Sequence, residues 1–162
     1  MSESSRTFTV SGDNITIAGG PTLVFINPDT DVGIEILRAW IAQDSTETAE
    51  QQRVNLVTQV AAFPTLTTKT PAPHLLGETS LIVGGTAGAA GTCGIDATAE
   101  GAGSKTIILA DSFHNQNGWL YIPTPEERMI LRAAASSGFG LVLATTPTTL
   151  TGWSFGVTFR EI

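Results

Sequence analysis

The sequence has few of the side chains on which catalysis and tight ligand binding usually depend. Its 162 residues include one cysteine, two histidines, and eight basic residues against 15 acidic ones. A single Cys93 excludes an internal disulfide, and two histidines leave few candidates for a His-based metal site. Scattered basic side chains and a net charge of −7 do not supply the basic patch that neutralises phosphates, so we expect no nucleic-acid partner.

Long hydrophobic runs are also missing. No apolar run reaches the roughly 18–20 residues that span a bilayer, so we expect no membrane helix and no membrane partner. The first ten residues, MSESSRTFTV, lack a basic stretch followed by an apolar one and do not predict a secretory signal. The hydrophobic fraction of 41% is too high for a disordered chain. We therefore expect one domain over residues 1–162, with a short flexible N-terminal arm at residues 1–5.

What the sequence has in abundance is typical of strands and turns. It contains 24 threonines, 17 glycines and eight prolines. Threonine favours strands, whereas glycine and proline mark turns. The composition predicts an all-β fold, an antiparallel β-sandwich of jelly-roll or tulip-like type, with long Gly/Ala/Thr-rich loops and at most one short helix.

The clearest strand lies in residues 152–162. Large apolar side chains occupy every second position there, namely Trp153, Phe155, Val157 and Phe159. Period-two alternation places them on one face of a strand, which must be buried against another layer.

Residues 33–43 and 53–62 predict a second pair of strands, a hairpin whose polar connection at 44–52 is too long for a tight turn. The first strand is apolar on both faces, which indicates a central strand or an oligomer contact. The alternation of the second predicts an inward set (Val54, Leu56, Thr58, Val60) and an outward set (Arg53, Asn55, Val57, Gln59).

Further strands are predicted at 6–11, 14–18, 22–26, 79–83, 105–110, 118–122 and 138–143, with a turn at Asp13-Asn14 between the first two. Thr124 to Glu127 has the form of a capping box and predicts one or two helical turns, after which residues 129–131 return to extended form. The segments 63–78 and 84–104 predict long irregular stretches, which are usually functional or flexible until something orders them.

No motif rises to a catalytic or cofactor site, so we expect no enzyme and no cofactor. Cys93 has no neighbouring base and is interpreted as a small apolar residue. A phosphate loop aligned on Lys105 fails, because its required glycines fall on Ala99 and Ser104. Adjacency of Asp111, Ser112 and His114 does not make a triad, which is a spatial arrangement.

Three other sets of residues have more than one interpretation. Asn27, Asp29 and Asp31 alternate as calcium ligands do, but a turn capped by their own side chains explains them as well. Glu126 and Glu127 are better explained by helix capping than as paired acids. Trp40, Trp119 and Trp153 could form a sugar-stacking platform, although packing in a core or subunit interface is the preferred interpretation.

The order of these segments resembles small structural proteins of tailed bacteriophages, of the capsid decoration (cement) type. The resemblance rests on ILRAWIAQDSTETAEQQRVNLVTQ, GGTAGAAGTCGIDATAEGAGSKT, NGWLYIPTPEER and GFGLVLATTPTTLTGWSFGVTFREI. It implies a homotrimer that is made in the bacterial cytoplasm, lies on the outer capsid surface of the virion and binds the major capsid protein. Interface residues are then expected in the N-terminal arm and the Gly/Ala-rich segment: Ser2, Ser4, Gly85, Gly88, Gly91, Gly94 and Gly101.

Two alternatives remain open at this point. The chain could be a tail, fibre or receptor-binding component that binds host cells or carbohydrate, with Trp119 and Tyr121 as exposed contacts. It could also be an enzyme on a jelly-roll scaffold, which a pair of carboxylates in a cleft would support.

Overall fold

The structure is a computed structural model, and it describes residues 6–44, 48–86, 88–134 and 136–162. The strands in chain order are β1 (Thr7–Ile15), β2 (Thr22–Ile26), β3 (Ile34–Gln43), β4 (Gln51–Val60), β5 (Thr65–Thr68), β6 (Ala72–Pro73), β7 (Val83–Gly84), β8 (Thr92–Ala99), β9 (Ser104–His114), β10 (Trp119–Tyr121), β11 (Ile130–Leu131), β12 (Ser137–Leu143) and β13 (Trp153–Glu161). A short 3-10 helix covers Pro125–Glu127. Within the described ranges no helix has the length and apolar character needed to cross a membrane.

The strands form two sheets that pack together, which confirms the antiparallel β-sandwich. Sheet A has the order β10-β3-β13-β1-β6, with β11 also paired to β3. Sheet B has the order β5-β8-β2-β12-β4-β9, with β7 also paired to β8. Every pairing is antiparallel except the one between β7 and β8.

The centre of the sandwich contains the residues that the alternation of the last strand predicts. Trp153, Phe155, Val157 and Phe159 are completely buried and belong to one hydrophobic cluster with the inward side chains of sheet B. Each fully buried side chain of this size contributes about 1.5–3 kcal/mol. Strand β13 lies between β3 and β1, so its apolar face covers the middle of the core.

The predicted hairpin between residues 33–43 and 53–62 is wrong. Both segments are strands, but β3 lies in sheet A and pairs with β10, β11 and β13, whereas β4 lies in sheet B between β12 and β9. The connection after β3 therefore passes from one sheet to the other. Strand β3 is interior to sheet A as expected, but it is not covered on both faces, because Arg38 and Ala42 are exposed.

The predicted turn at Asp13-Asn14 is also wrong. Strand β1 continues through it to Ile15, and the pairing with β13 shifts register between Gly12 and Ile15. Asn14 has a φ of 50°, which asparagine tolerates better than most residues. The turn-forming residues thus make a bulge within one strand instead of separating two.

The Gly/Ala-rich segment 84–104 is less irregular than its composition predicts. Its middle forms β8, which lies between β5 and β2 in sheet B. Cys93 and Ile95 of this strand are buried in the core cluster. Small side chains do not prevent a strand when its neighbours supply the hydrogen bonds and the packing.

The burial predicted for β4 is partly wrong, because apolar side chains also pack on the outward face of sheet B. Val57 and Gln59, predicted outward, are buried, whereas Val60, predicted inward, is 49% exposed at the strand end. Phe25 of β2 lies on this outward face against Phe63, with ring centroids 5.4 Å apart. Val57 therefore has partners on a face that alternation alone assigns to solvent.

The segment after Thr124 forms a short turn as predicted, but the predicted capping box is wrong, because the Thr124 side chain makes no capping hydrogen bond. The helical part is limited to the single 3-10 turn, and β11 then returns the chain to extended form beside β3. Arg128 has extended backbone angles, φ −63° and ψ 131°, and ends the helix.

Candidate functional site

One long side of the sandwich is formed by edge strands from both sheets, and we call it the β9–β10 side. Strand β9 is the edge of sheet B, and β10 is the edge of sheet A. A hydrogen bond joins them, because Trp119 Nε1 donates to Asp111 Oδ2 over 3.0 Å. The Trp119 indole and the Ser112 backbone N–H hold the pKa of the Asp111 carboxyl below its ordinary value of 3.8.

The β9–β10 side is lined by large aliphatic side chains that face solvent. Ile107, Ile108, Leu120 and Ile122 are each between 48% and 65% exposed. Ile130, on the neighbouring β11, is 59% exposed. Leu120 lies opposite Trp40 on the outer face of sheet A, and Ile107 lies opposite Val57 on the outer face of sheet B, so the two edge strands expose apolar side chains on different faces.

A second exposed apolar group lies on the opposite side of the sandwich, in residues 74–83, which we call the crossover segment. This segment leads from β6, the far edge of sheet A, to β7, which pairs with β8 of sheet B. Leu75, Leu76, Leu81 and Val83 are at least 49% exposed, and Leu76 reaches 95%. Ile82 between them is completely buried in the core.

The crossover segment is held from beneath by one buried carboxylate. Glu161 Oε1 accepts hydrogen bonds from Ser80 Oγ over 2.5 Å and from the backbone N–H of Leu81 over 2.8 Å. Ile82 N–H donates to the same oxygen over 3.3 Å, and Arg6 forms an ion pair with Oε2. The Glu161 side chain is fully buried, so these contacts form in a low-dielectric environment where each is strengthened.

The structure places the predicted interface glycines against other parts of the same chain. Gly91 and Gly94 are buried, and Gly85, Gly88 and Gly101 are half-buried. A Cβ on Gly101 would lie 1.7 Å from Ala62 O, so only glycine fits beside that carbonyl. Ser2 and Ser4 lie outside the described residues.

Gly91 combines a close approach with a left-handed backbone. Its φ is 65°, and a Cβ would lie 2.5 Å from Asp29 Oδ2. Its N–H donates to Pro28 O over 3.0 Å, which joins the loop before β8 to the loop after β2. These contacts give Gly91 a function in packing; a contact with another protein stays a prediction.

The aromatic residues are arranged differently from an exposed binding platform. Trp119 is only 9% exposed and stacks on Tyr121 with centroids 6.1 Å apart, whereas Leu120 between them faces solvent. The expectation that Trp119 is an exposed contact is therefore wrong, because the strand presents the other set of side chains. Trp40 lies on the outward face of sheet A against Gly156, and the Arg38 guanidinium lies 4.6 Å from its ring centroid. A sugar ring would have to displace that guanidinium in order to stack.

The remaining chemical candidates have structural partners. Burial raises the pKa of the Cys93 thiol to about 12, and its Sγ donates to Lys69 O over 3.0 Å. The carboxylate of Asp111 faces the Trp119 indole, while His114 Nδ1 accepts the N–H of Gln116 over 3.3 Å. Asp111 and His114 therefore bind other groups and are not linked with Ser112 as a triad.

The turn interpretation of Asn27, Asp29 and Asp31 is confirmed for Asp29 but is wrong for Asn27, whose side chain binds distant parts of the chain. Asp29 Oδ1 accepts the N–H of Asp31 over 3.0 Å. Asn27 is completely buried; its Oδ1 accepts the N–H of Gly88 and its Nδ2 donates to Ser137 O. Within the part of the chain that the structure describes, no three His, Cys, Asp or Glu side chains are grouped to hold a metal ion.

One open, shallow pocket of about 330 Å³ lies near the β9–β10 side, and Arg53, Ala110, Asp111 and Ser112 line it. Arg53 and Ser112 are directly opposite one another on β4 and β9. The pocket adds a polar area beside the exposed isoleucines of β9.

Comparisons with known proteins do not assign the chain to a family. No protein-family model matches the chain, and no curated protein matches it.

The exposed aliphatic surfaces are the features that sequence reasoning missed. Composition directed attention to the glycines and the aromatic residues, which turn out to pack within the subunit. The run Ile107-Ile108-Leu109 is the sequence signal that could have indicated the surface on β9. Three consecutive apolar residues in a strand place apolar side chains on both faces, including the face that points to solvent.

Proposed function

We propose that the chain is a structural virion protein that decorates a bacteriophage capsid by binding the outer surface of the major capsid protein lattice. The observation that carries this proposal is the pair of exposed apolar surfaces on opposite sides of one rigid sandwich. A lattice protein needs at least two contact surfaces, one for the lattice and one for its neighbours.

The crossover segment supports the lattice contact. Ordering a loop at the moment of binding costs free energy, and a loop that is already held in place avoids that cost. Glu161 and the buried Ile82 hold the crossover segment before any partner arrives. Leu76 projects from it next to Gly77, which has no other atoms near its Cβ position. The segment therefore offers a preformed apolar contact.

Repetition supplies the affinity that such a small contact lacks. When several copies are linked and bind the same lattice, each further contact forms at a high effective concentration. A few exposed leucines in each subunit are then sufficient. The resemblance noted from the sequence supports the same interpretation, whereas the receptor-binding alternative loses Trp119 as an exposed contact.

The test uses particles purified from the phage that encodes the chain. We expect the copy number per particle, measured by quantitative mass spectrometry, to match the number of capsid lattice positions. Cryo-EM maps of the same particles should show the sandwich on the outer capsid surface. A copy number that matches only the tail, or density confined to the tail, would contradict the proposal.

Variants localise the contact on the subunit. Leu76→Asp and Leu81→Asp place charges in the crossover segment and should lower the occupancy of capsids that lack the wild-type protein. Val60→Asp is the matched control for Leu81→Asp, because Val60 at the end of β4 is 49% exposed and Leu81 is 50% exposed. Equal occupancy for all three variants would exclude the crossover segment as the lattice contact.

A further inference from the structure

The turn that joins β9 to β10 contains an Asn-Gly dipeptide. It occupies residues 115–118 and links the edge strand of sheet B to the edge strand of sheet A. The sequence has five asparagines, and only Asn117 is followed by glycine. The backbone explains the glycine, because Gly118 has a φ of 71° and a Cβ there would lie 3.0 Å from Ile41 O.

The polar groups of this dipeptide are largely free. The Asn117 side chain is exposed, and within the described residues its amide forms no hydrogen bond. The N–H of Gly118 likewise has no acceptor in the part of the chain that the structure describes. The backbone of Asn117 is held, since its N–H donates to His114 O over 2.9 Å. The side chain can therefore turn towards the next backbone nitrogen without breaking a native hydrogen bond.

Asn115 shows the opposite arrangement two residues earlier in the same turn. It is completely buried. Its Nδ2 donates to Gln43 Oε1 over 2.6 Å and to Thr48 O over 2.7 Å, and its Oδ1 accepts the Glu50 N–H over 3.0 Å. One asparagine of the turn is thus fixed by the fold, as buried polar groups usually are, whereas the side chain of the other is unrestrained.

We propose that Asn117 is a site of spontaneous covalent modification, at which the side-chain amide becomes a carboxylate. The Gly118 nitrogen attacks Asn117 Cγ, so a new C–N bond forms while the bond from Cγ to Nδ2 breaks. The proton from Gly118 leaves with the amide nitrogen as ammonia, and a cyclic imide remains. Water then opens the imide at Cγ to give aspartate, or at the backbone carbonyl carbon to give isoaspartate. Water is the only co-reactant, and no atom is oxidised or reduced.

The surroundings of Asn117 allow this ring to close, whereas those of the other asparagines do not. Asn27 precedes Pro28, which has no N–H to attack with. Asn14 and Asn55 lie within β1 and β4, whose pairing fixes the backbone, and both precede residues with large side chains. The residue after Asn117 is glycine, which has no Cβ to crowd the attacking nitrogen.

The modification changes both the charge and the length of the turn. Either product adds one negative charge to the net charge of −7, since an aspartate carboxyl is ionised at neutral pH. Isoaspartate also lengthens the main chain by one carbon, because the backbone then runs through Cβ. Both ends of the turn are anchored, by the buried Asn115 and by the Trp119 indole on Asp111. We therefore expect the longer connection to weaken the pairing of β10 with β3.

Purified wild-type protein tests the proposal, which does not depend on capsid binding. The protein is incubated in mildly alkaline buffer, and mass spectrometry follows the proteolytic peptide that contains both asparagines of the turn. We expect the mass increase of an NH2-to-OH exchange at Asn117, in two products that separate chromatographically, while Asn115 stays unchanged. Because no native hydrogen bond has to break, the rate should lie within about tenfold of that in urea-unfolded protein. Conversion of Asn117 in the unfolded protein but not in the folded one would overturn the proposal.

Variants in the turn identify the source of the ammonia that is released. Asn117→Gln adds a methylene group, so closure would require a larger ring, and the release should fall to background. Gln116→Glu is the matched control, because it removes the neighbouring exposed amide and should leave the release from Asn117 in place. Circular dichroism should match wild type for both variants, since neither side chain forms a hydrogen bond within the described residues. Ammonia release from the Asn117→Gln variant at the wild-type rate would assign the reaction elsewhere and overturn the proposal.

Discussion

Replacement of Glu161 with alanine is expected to destabilise the fold more than replacement of any exposed charged residue with alanine. The fully buried carboxylate accepts hydrogen bonds from Ser80, Leu81 and Ile82 and pairs with Arg6. Hydrogen bonds to a charged group contribute about 1.5–3 kcal/mol each, but those sharing one oxygen do not add fully. The Arg6 side chain is 43% exposed and can bind water instead, so the loss comes mainly from the Ser80, Leu81 and Ile82 donors that are left without an acceptor, at about 1–3 kcal/mol for each unsatisfied group. We therefore expect the free energy of unfolding to fall by about 3–5 kcal/mol.

Urea unfolding of wild type and the Glu161→Ala variant measures this difference. Hydrogen exchange gives an independent reading, since the amides of Leu81 and Ile82 should lose protection before the core strands do. Glu126→Ala is the matched control, because Glu126 is exposed and should change stability by no more than about 0.5 kcal/mol. If the Glu161→Ala variant loses less than about 1 kcal/mol, the carboxylate does not hold the crossover segment. Unchanged exchange at Leu81 would lead to the same conclusion.

Three further predictions test the core, the β9–β10 hydrogen bond and the cysteine. Gly138→Ala would place a Cβ 2.3 Å from Phe25 Cε1, so urea unfolding should show a loss of about 1–3 kcal/mol, smaller when Phe25→Leu is also present. Trp119→Phe removes the indole donor and should raise the pKa of Asp111 in an NMR titration. Because that pKa is lowered in the folded protein, the stability it contributes is present above pH 3.8 and is lost as the pH falls through the lowered pKa. Cys93, with its pKa raised to about 12 by burial, should not react with Ellman's reagent at pH 8 until the protein unfolds; rapid labelling of the native protein would contradict its burial.

Local patterns in the sequence are sufficient to locate most strands. In β13 large apolar side chains occupy every second position from Trp153 to Phe159. Only a strand places such residues together on one face, where they can be buried. The short 3-10 turn at Pro125 is local as well, since proline sets its first turn and β11 follows at once. Local patterns also fail in places: the strands predicted at 14–18 and 79–83 are wrong, because β1 ends at Ile15 and the chain forms no strand between residues 74 and 82.

Pairing and sheet assignment are not local. Strands β3 and β4 are adjacent in sequence and equally suited to a hairpin, yet they lie in different sheets because their best partners, β13 and β12, come from the last quarter of the chain. Strand β8 has weak strand propensity of its own, and it is ordered by β2 and β5 on either side. Strand propensity reflects such packing more than an intrinsic preference of the backbone.

The candidate surfaces depend on the same distant contacts. Alternation shows that Trp119 and Leu120 point to opposite faces, but not which face is covered; the Asp111 carboxylate and the core decide that Trp119 is inside. Likewise, Ile107 and Ile108 are exposed only because β9 ends its sheet and contains a bulge opposite β4. The sequence by itself determined an all-β chain with an alternating apolar core. Only the tertiary structure decided which apolar residues were left outside, because burial depends on the neighbours that folding brings together.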